Sequence, residues 1–556
     1  MKLVNDKKDN GNGFIMQAGI LAAAGIISRI IGLLYRSPLA EVIGDLGLGY
    51  YQSAYAYYTI ILLISSYSIP SAISKVIAQK LAVGEYRNAH RLFRGALYYA
   101  LAVGAVGGCV LFFGAGLFVE ETAVPVLRIF APTVFVYGIL GVLRGYFQAH
   151  KSMQQTAVSQ IVEQIANAVV SVGAAVLLIR LMMGSLAMPE DSAAQVQRAV
   201  YGAMGSALGT GMGVLTAMVF MLITYMRYRP EIMGRVRTDE HRQQDTYRQI
   251  FVTITAIVTP FILSTAIYNL SSSVNTKIYT DIYPSMMALD TVEITSRWGV
   301  FSGKALTISN IPVAFASAMA SAMIPSVAQL MAAGKKQESC EKIGLAVKTT
   351  MLISIPCAVG LFVFAAPVTL LLFPSTASNI DLASRVLMAL CPSVVLYALS
   401  TLNSSILQGL GKVKTPIYNA GIALAIQTVF ALLLLRFTNM DLYSIAIANT
   451  LYSGIMAFLN QSAVRRAVGY RQEILRTFVL PAVASGIMGV VSYGVYYLLR
   501  GILHSPRLAV IPAILVAVPV YFVSLLLVKG LDETELRSIP KGYLLVKLAK
   551  KCRLMK

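Results

Sequence analysis

Along most of this chain, apolar residues run in continuous stretches of about twenty or more. Short segments in which Lys, Arg, Asp, Glu and Pro collect separate them. A helix needs about 20 mostly apolar residues to cross a bilayer. By that rule the sequence predicts about fourteen crossings. They start near Phe14, Tyr50, Gly95, Leu127, Ala157, Tyr201, Ile250, Trp298, Ile343, Val386, Pro416, Leu442, Phe478 and Leu508. Membrane-spanning strands would be about ten residues long and would alternate polar with apolar positions. These runs are longer and uninterrupted, so the expected fold class is an all-α integral membrane protein.

Composition supports this reading. Of 556 residues, 57% are hydrophobic and only 13% charged, and the mean hydropathy is +0.69. A soluble protein of this size could not cover its surface with so few polar residues, and disorder is excluded for the same reason. The formal charge of +21, from 46 Lys and Arg against 25 Asp and Glu, has its natural place in cytoplasmic loops. No basic run is interleaved with aromatics, so nucleic acid is not an expected partner.

With the N-terminus inside, the inward connections carry Arg87, Arg91, Arg94, the basic stretch from Arg227 to Arg248, Lys335, Lys336, Lys412, Lys414, Arg465 and Arg466. Outward connections such as Glu120-Glu121 and Asp281 are short and acidic. This asymmetry predicts a multi-pass plasma-membrane protein with both termini cytoplasmic. The tail from Tyr543 to Lys556 reads as an interfacial helix or as a plain basic tail. The opening runs straight into the first span, so no cleaved signal peptide is expected. Five scattered cysteines form no CxxC or Cys/His set, which predicts neither a disulfide framework nor a bound metal.

An internal repeat organises the chain. The stretch VLRIFAPTVFVYGILGVLRGYFQ from Val126 matches VLMALCPSVVLYALSTLNSSILQ from Val386, a shift of 260. A second pair, from Ser71 and from Ser321, matches at a shift of 250. The shift spans an even number of crossings, so the halves share one orientation, as in transporters built from two parallel six-helix lobes. The expected domains are residues 1–240 (helices 1–6), 241–465 (helices 7–12) and 466–556 (helices 13–14 and the basic tail), with a cavity between the lobes.

Neither a GxxxxGK[ST] loop nor an HExxH motif is present. No cofactor and no enzymatic activity are expected, although a membrane enzyme using intramembrane carboxylates is an alternative. What stands out is a set of cations in or beside apolar spans. Inserting each costs about 2.5–3.5 kcal/mol, so each requires a reason. Arg29 and Arg36 lie seven residues apart, close to two helical turns, and so share one face. Lys75, Arg144 and Lys304 lie in helices 2, 4 and 8, and the opposing acids are few: Glu41, Asp45 and Glu163. Arg36 and Lys304 either snorkel to the outer surface or face a cavity. Arg29 either pairs with an acid such as Glu163 or serves a ligand. Arg144 and Lys75 lie near inner helix ends, where the positive-inside preference also accounts for them. Glu163 neutralises one of these cations or couples an ion. Taken together, the five cations suit an anionic head group, above all a pyrophosphate.

Pro70, Pro260, Pro312, Pro325, Pro356, Pro392 and Pro481 are expected to bend or interrupt spans. The GxGxG of Gly209, Gly211 and Gly213 has neither the strand nor the phosphate context of a nucleotide site and is expected to serve packing.

The segments SRIIGLLYRSPLAEVIGDLGLGYYQSAYAYY, SIPSAISKVIAQ, RGYFQAHKSMQQTAVSQIVEQI, NIPVAFASAMASAMIPSVAQ and LQGLGKVKTP resemble the polysaccharide-exporter branch of the multidrug/oligosaccharidyl-lipid/polysaccharide flippase superfamily. Within it the likeness is to the stage V sporulation protein B and MurJ-type lipid II flippase group. The resemblance covers nearly all of the first twelve helices. It implies two six-helix lobes, two extra helices, and outward transport of an undecaprenyl-pyrophosphate-linked sugar used in cell-wall synthesis. The partners it implies are that lipid-linked oligosaccharide and the membrane lipids, with the chain acting as a monomer. It further implies that Arg29, Arg36 and Lys304 line the central cavity. Where Gram-negative MurJ-type members carry an acid after the second arginine, this chain has Ser37. A cation-coupled multidrug exporter of the same superfamily is the alternative.

Overall fold

The computed structural model describes residues 12–67, 69–150, 152–187, 189–239, 245–374 and 379–530; Lys151 and the basic tail from Tyr543 to Lys556 lie outside the described residues. Among the described residues every regular element is helical. Hydrocarbon offers no water to a backbone N–H or C=O, so each spanning segment satisfies its own. Packing divides the chain into two compact units, residues 1–303 and 304–556.

The first unit contains α1 (Asn12–Leu34), α2 (Arg36–Leu62), α3 (Ile69–Ala82), α4 (Tyr86–Phe113), the single turn α5 (Ala115–Phe118), α6 (Val124–Ala149), α7 (Met153–Met183), α8 (Ser192–Arg237), α9 (Tyr247–Lys277), α10 (Tyr283–Met287) and α11 (Thr291–Trp298). The second contains α12 (Leu306–Ala332), α13 (Lys336–Val363), α14 (Ala365–Leu372), α15 (Ile380–Gly409), α16 (Lys414–Phe437), α17 (Leu442–Val468), α18 (Leu480–Leu503) and α19 (Pro506–Leu527). Ten helices among the described residues are long and apolar enough to cross a membrane: α4, α6, α7, α8, α13, α15, α16, α17, α18 and α19. The expected starts near Phe14, Tyr50, Ile250 and Trp298 fall in helical segments as well.

Packing divides the chain later than residue 240, where the repeat divides it, because α9 and α11 pack on α2. Glycine permits that approach. A Cβ on Gly49 would lie 2.0 Å from the Thr295 carbonyl oxygen, and one on Gly299 would lie 2.0 Å from that of Asp45. The basic stretch from Arg227, expected as a connection, is helical through Arg237. At 1.5 Å per residue, the 46 residues of α8 reach about 69 Å. Its end is strapped down by the Arg87 amide, which donates to Asp239 Oδ2 at 2.7 Å; separately, ahead of α9, Asp245 meets Lys80 at 2.9 Å, and Lys80 also bridges Glu85 at 2.8 Å.

The α7–α8 pair is the most extensive in the molecule, and α8 meets it through small residues four apart. Cβ atoms on Gly205 and Gly209 would each lie 2.3 Å from a backbone nitrogen of α7, those of Ala175 and Ser171; one on Gly213 would lie 2.7 Å from the Glu163 carbonyl oxygen. This is the small-xxx-small packing of membrane helices, and it accounts for two of the three glycines in the GxGxG.

Prolines and π-helical turns go together. The turns Leu63–Tyr67, Ile278–Ile282 and Leu475–Val479 precede Pro70, Pro284 and Pro481. Each proline ring would press on the carbonyl four residues earlier, at Ser66, Thr280 and Thr477, and each of those carbonyls lies in the widened turn. Pro70 and Pro481 therefore stand in the first turns of α3 and α18 and do not interrupt a helix. Pro356 and Pro392 do lie inside helices, as expected.

Gly209→Ala is expected to destabilise the protein by more than about 2 kcal/mol, because backbone and not a flexible side chain must yield. Gly173→Ala, where a Cβ would meet nothing within 4 Å, should be neutral or slightly stabilising. Thermal unfolding of the two purified variants checks the pair, and equal losses would show that the α7–α8 contact is not the constraint.

Candidate functional site

Arg29 and Arg36 lie on one nearly continuous helical path. The backbone ladder passes through Tyr35, whose N–H donates to Ile31 O and whose carbonyl accepts from Leu39 N, both at 3.1 Å. The path breaks at Gly44, where φ is 70° and ψ is 178°, a backbone state essentially confined to glycine. Arg198 caps the end before this break, donating from Nη2 to Val42 O at 2.9 Å. Arg29 is exposed and Arg36 is half-buried.

Arg36 stands within electrostatic reach of Tyr51 and Tyr55. These tyrosines belong to an aromatic stack on α2 and α6: the Tyr51 and Tyr55 rings are 5.7 Å apart, and Tyr58 lies 4.6 Å from Phe130. Tyr51 OH shares a 3.1 Å hydrogen bond with Thr210 Oγ1, and Asn167 donates to Tyr35 OH at 3.5 Å. The first unit thus holds a cluster of tyrosines with polar partners, within electrostatic reach of Arg36.

Glu163 pairs with Arg144, and Arg29 takes no part in that pair. Arg144 Nη2 is 2.7 Å from Glu163 Oε2, with 6% and 15% of the two side chains exposed, and Arg144 Nε donates to Ser159 Oγ at 2.9 Å. Arg144 is therefore buried in an ion pair and does not reach toward water at a helix end. Gly145 beside it lets α3 pass close, since a Cβ there would lie 2.7 Å from Pro70 O.

The remaining candidates are dispersed. Lys75 on α3 and Glu41 on α2 are exposed. Asp45 is 9% exposed. Lys304 is fully buried, and its Nζ lies 5.9 Å from the Phe373 ring centroid, a cation–π placement. It does not snorkel. Its helical turn, Gly299–Ala305, is π-helical, and no proline stands where one would account for the widening. Gln52 Nε2 donates to Ser302 O at 3.4 Å, and Ser302 Oγ donates to Trp298 O at 2.6 Å. A side-chain amide thus takes up a carbonyl within the shifted ladder.

The sequence reading overlooked the tyrosines, Arg198 and Lys348, the last being 6% exposed within α13. Tyrosine counts as weakly apolar in hydropathy, and Lys348 follows a basic loop closely enough to be absorbed into it. Among the described residues, no group of three His, Cys, Asp or Glu side chains could hold a metal ion.

Helical crossings around a polar, cation-bearing interior define a membrane transporter. The sequence matches the family "Polysaccharide biosynthesis protein" over residues 15–331 and the MatE family over residues 302–433. The chain belongs to the polysaccharide biosynthesis protein family, within the multidrug/oligosaccharidyl-lipid/polysaccharide flippase superfamily. It is 24% identical over 494 residues to the lipid II flippase MurJ of Bacillus subtilis, covering 85% of this chain and 86% of that protein. It is 23% identical over 534 residues to stage V sporulation protein B of the same organism, covering 95% and 98%. Its fold matches a solved structure of lipid II flippase MurJ in an inward closed conformation with a TM-score of 0.65 at 14% identity, covering 91% of this chain and 97% of that one. A MATE structure matches with a TM-score of 0.57 at 15% identity, covering 82% and 96%.

The Arg144–Glu163 pair predicts an asymmetric mutational outcome. Arg144→Met or Glu163→Met alone should cost about 3–5 kcal/mol by leaving a buried charge unanswered, whereas the double substitution should recover most of that loss. Melting temperatures of the three variants test this, and strictly additive losses would remove the pair from the account.

Proposed function

We propose that this protein is a flippase that carries an undecaprenyl-pyrophosphate-linked cell-wall precursor, lipid II first among them, from the inner to the outer leaflet of the plasma membrane by alternating access. The observation that carries the reading is Arg36, a half-buried guanidinium on the helical path of α1 and α2, within electrostatic reach of Tyr51 and Tyr55. Pyrophosphate oxygens take up such donors in charge-assisted hydrogen bonds. Arg29, two turns earlier, extends the same basic surface, and Lys304 supplies a further positive charge. Arg144 anchors the interior through Glu163, and Lys75 attracts the anionic head group at the membrane surface. The moving parts are the lobes 1–240 and 241–465, with 466–556 as an addition, the termini on the cytoplasmic side and one chain as the working unit.

The driving force requires no nucleotide. A lipid pyrophosphate carries about two negative charges, and an inside-negative potential favours its outward passage by about 2.3 kcal/mol per charge per 100 mV. The relatives support the substrate class: the similar Bacillus subtilis protein is named a lipid II flippase.

A second reading, a cation-coupled drug exporter, is favoured by the MatE match over residues 302–433. Against it stands Glu163, whose carboxylate is engaged by Arg144 at 2.7 Å and is not open to an organic cation. Uptake of organic cations into vesicles would select this reading.

In cells that depend on this protein alone, a leaflet-accessibility assay for lipid II is expected to report outward flipping. Arg36→Ala and Arg29→Ala should reduce it about 10- to 100-fold, the loss of one or two hydrogen bonds to a charged group, with membrane abundance unchanged. Full complementation by both variants would defeat the anion-site reading.

A further inference from the structure

At one end of the first unit, α2, the turn between α5 and α6, the π-helical turn Ile278–Ile282 and α11 enclose a cavity of about 10 Å³. That is room for a single water-sized occupant. Ser53, Tyr57, Glu120 and Thr295 are among its lining residues. Each of these four carries a buried oxygen with no hydrogen-bond partner: Ser53 Oγ, Tyr57 OH, Glu120 Oε1 and Thr295 Oγ1. Ser53 is 6% exposed and Thr295 2%. Thr280, also in the lining, has its hydroxyl committed to Thr276 O at 2.9 Å and Asp281 Oδ1 at 2.7 Å.

The charged groups facing Glu120 are Asp281, Asp290 and Lys277, with the Thr122 hydroxyl beside it; Tyr50 and Tyr57 face it from α2. Lys277 is held by Asp281, and Asp290 accepts from Val292 N at 3.1 Å as the cap of α11. Glu120 is therefore a carboxylate in negative surroundings with one oxygen uncommitted.

We infer that this cavity binds one monovalent cation through the Glu120 carboxylate and the hydroxyl oxygens of Ser53, Tyr57 and Thr295. Hard cations take oxygen donors. A single lining carboxylate balances a single positive charge, and the volume admits an alkali ion but no organic cation. A water molecule would satisfy the hydroxyls but leave the carboxylate to be neutralised by a proton, with which an alkali ion competes. Burial, reinforced by Asp281 and Asp290, pushes the Glu120 carboxyl up to about 7. The site joins segments from both sides of the repeat boundary, α2 and the α5–α6 turn with α11, so an ion there would tie them together. It does not depend on which lipid is carried.

The protein carries its own reporter. Its single tryptophan, Trp298, lies one turn after Thr295 on α11 and stacks on Tyr279 at 5.6 Å. The full-length purified protein is titrated with NaCl or KCl against choline chloride at constant ionic strength, with Trp298 fluorescence and melting temperature as readouts. Sodium or potassium, but not choline, should give a saturable change in both. Glu120→Gln should weaken the apparent affinity at least about tenfold, the least that a supporting group of a metal site commands. Ser53→Ala should weaken it in the same direction and carries the test if Glu120→Gln fails to fold. Glu121→Gln should leave it unchanged.

The sign of the pH effect follows. In choline, the folded state holds a proton on Glu120 that the unfolded chain releases, so stability should fall as pH rises from about 4.5 through about 7. The alkali ion should restore it above that range. Identical curves in sodium, potassium and choline would overturn the site. So would a pH response that Glu120→Gln removes while no alkali ion competes with it, which would leave Glu120 a proton site only.

Discussion

The structure depends on one constraint: a charge taken into a membrane-spanning bundle has to be answered by another group of the bundle. Arg144 and Glu163 meet it in the most direct way, with a second bond, to Ser159, fixing the guanidinium plane. That pair joins α6 to α7, and α7 in turn receives α8 through glycines. An electrostatic requirement thereby sets the positions of helices that carry no charge at the contact.

Backbone geometry supplies the second layer. Three π-helical turns absorb the steric demand of a following proline. The fourth, at Gly299–Ala305, has a different origin: Gly299 and Gly303 allow the α2 backbone and Leu48 to press in, and Gln52 takes up a carbonyl of the widened turn. The buried lysine stands in the one such turn, among the described residues, that proline does not account for. The widened turn is thus held by its own glycines and by a glutamine 250 residues before Ser302.

The helical class, ten membrane-length spans and the cation inventory were legible because hydropathy and charge are local properties. The GxGxG was rightly read as packing, since nothing local suited phosphate. Partnerships were not legible. Glu163 lies 19 residues from Arg144 on a different helix, and nothing in one dimension favoured it over Arg29. The tyrosines of α2 were hidden for another reason: each ring is apolar enough to extend a hydrophobic run, and its hydroxyl matters only where several converge. The length of α8 is not legible in the sequence, because basic residues end the part of a helix that suits lipid without ending the helix itself.

That length has a mechanical consequence. About 30 Å of a helix lies in hydrocarbon, so of the roughly 69 Å of α8 more than half extends beyond it. A helix of this length, with Pro230 as its one interior proline, behaves as a lever that can bend at that point: a small tilt of its embedded part is carried to its far end. Asp239, which fastens that end to α4, therefore sits where a small rearrangement of the bundle produces the largest travel.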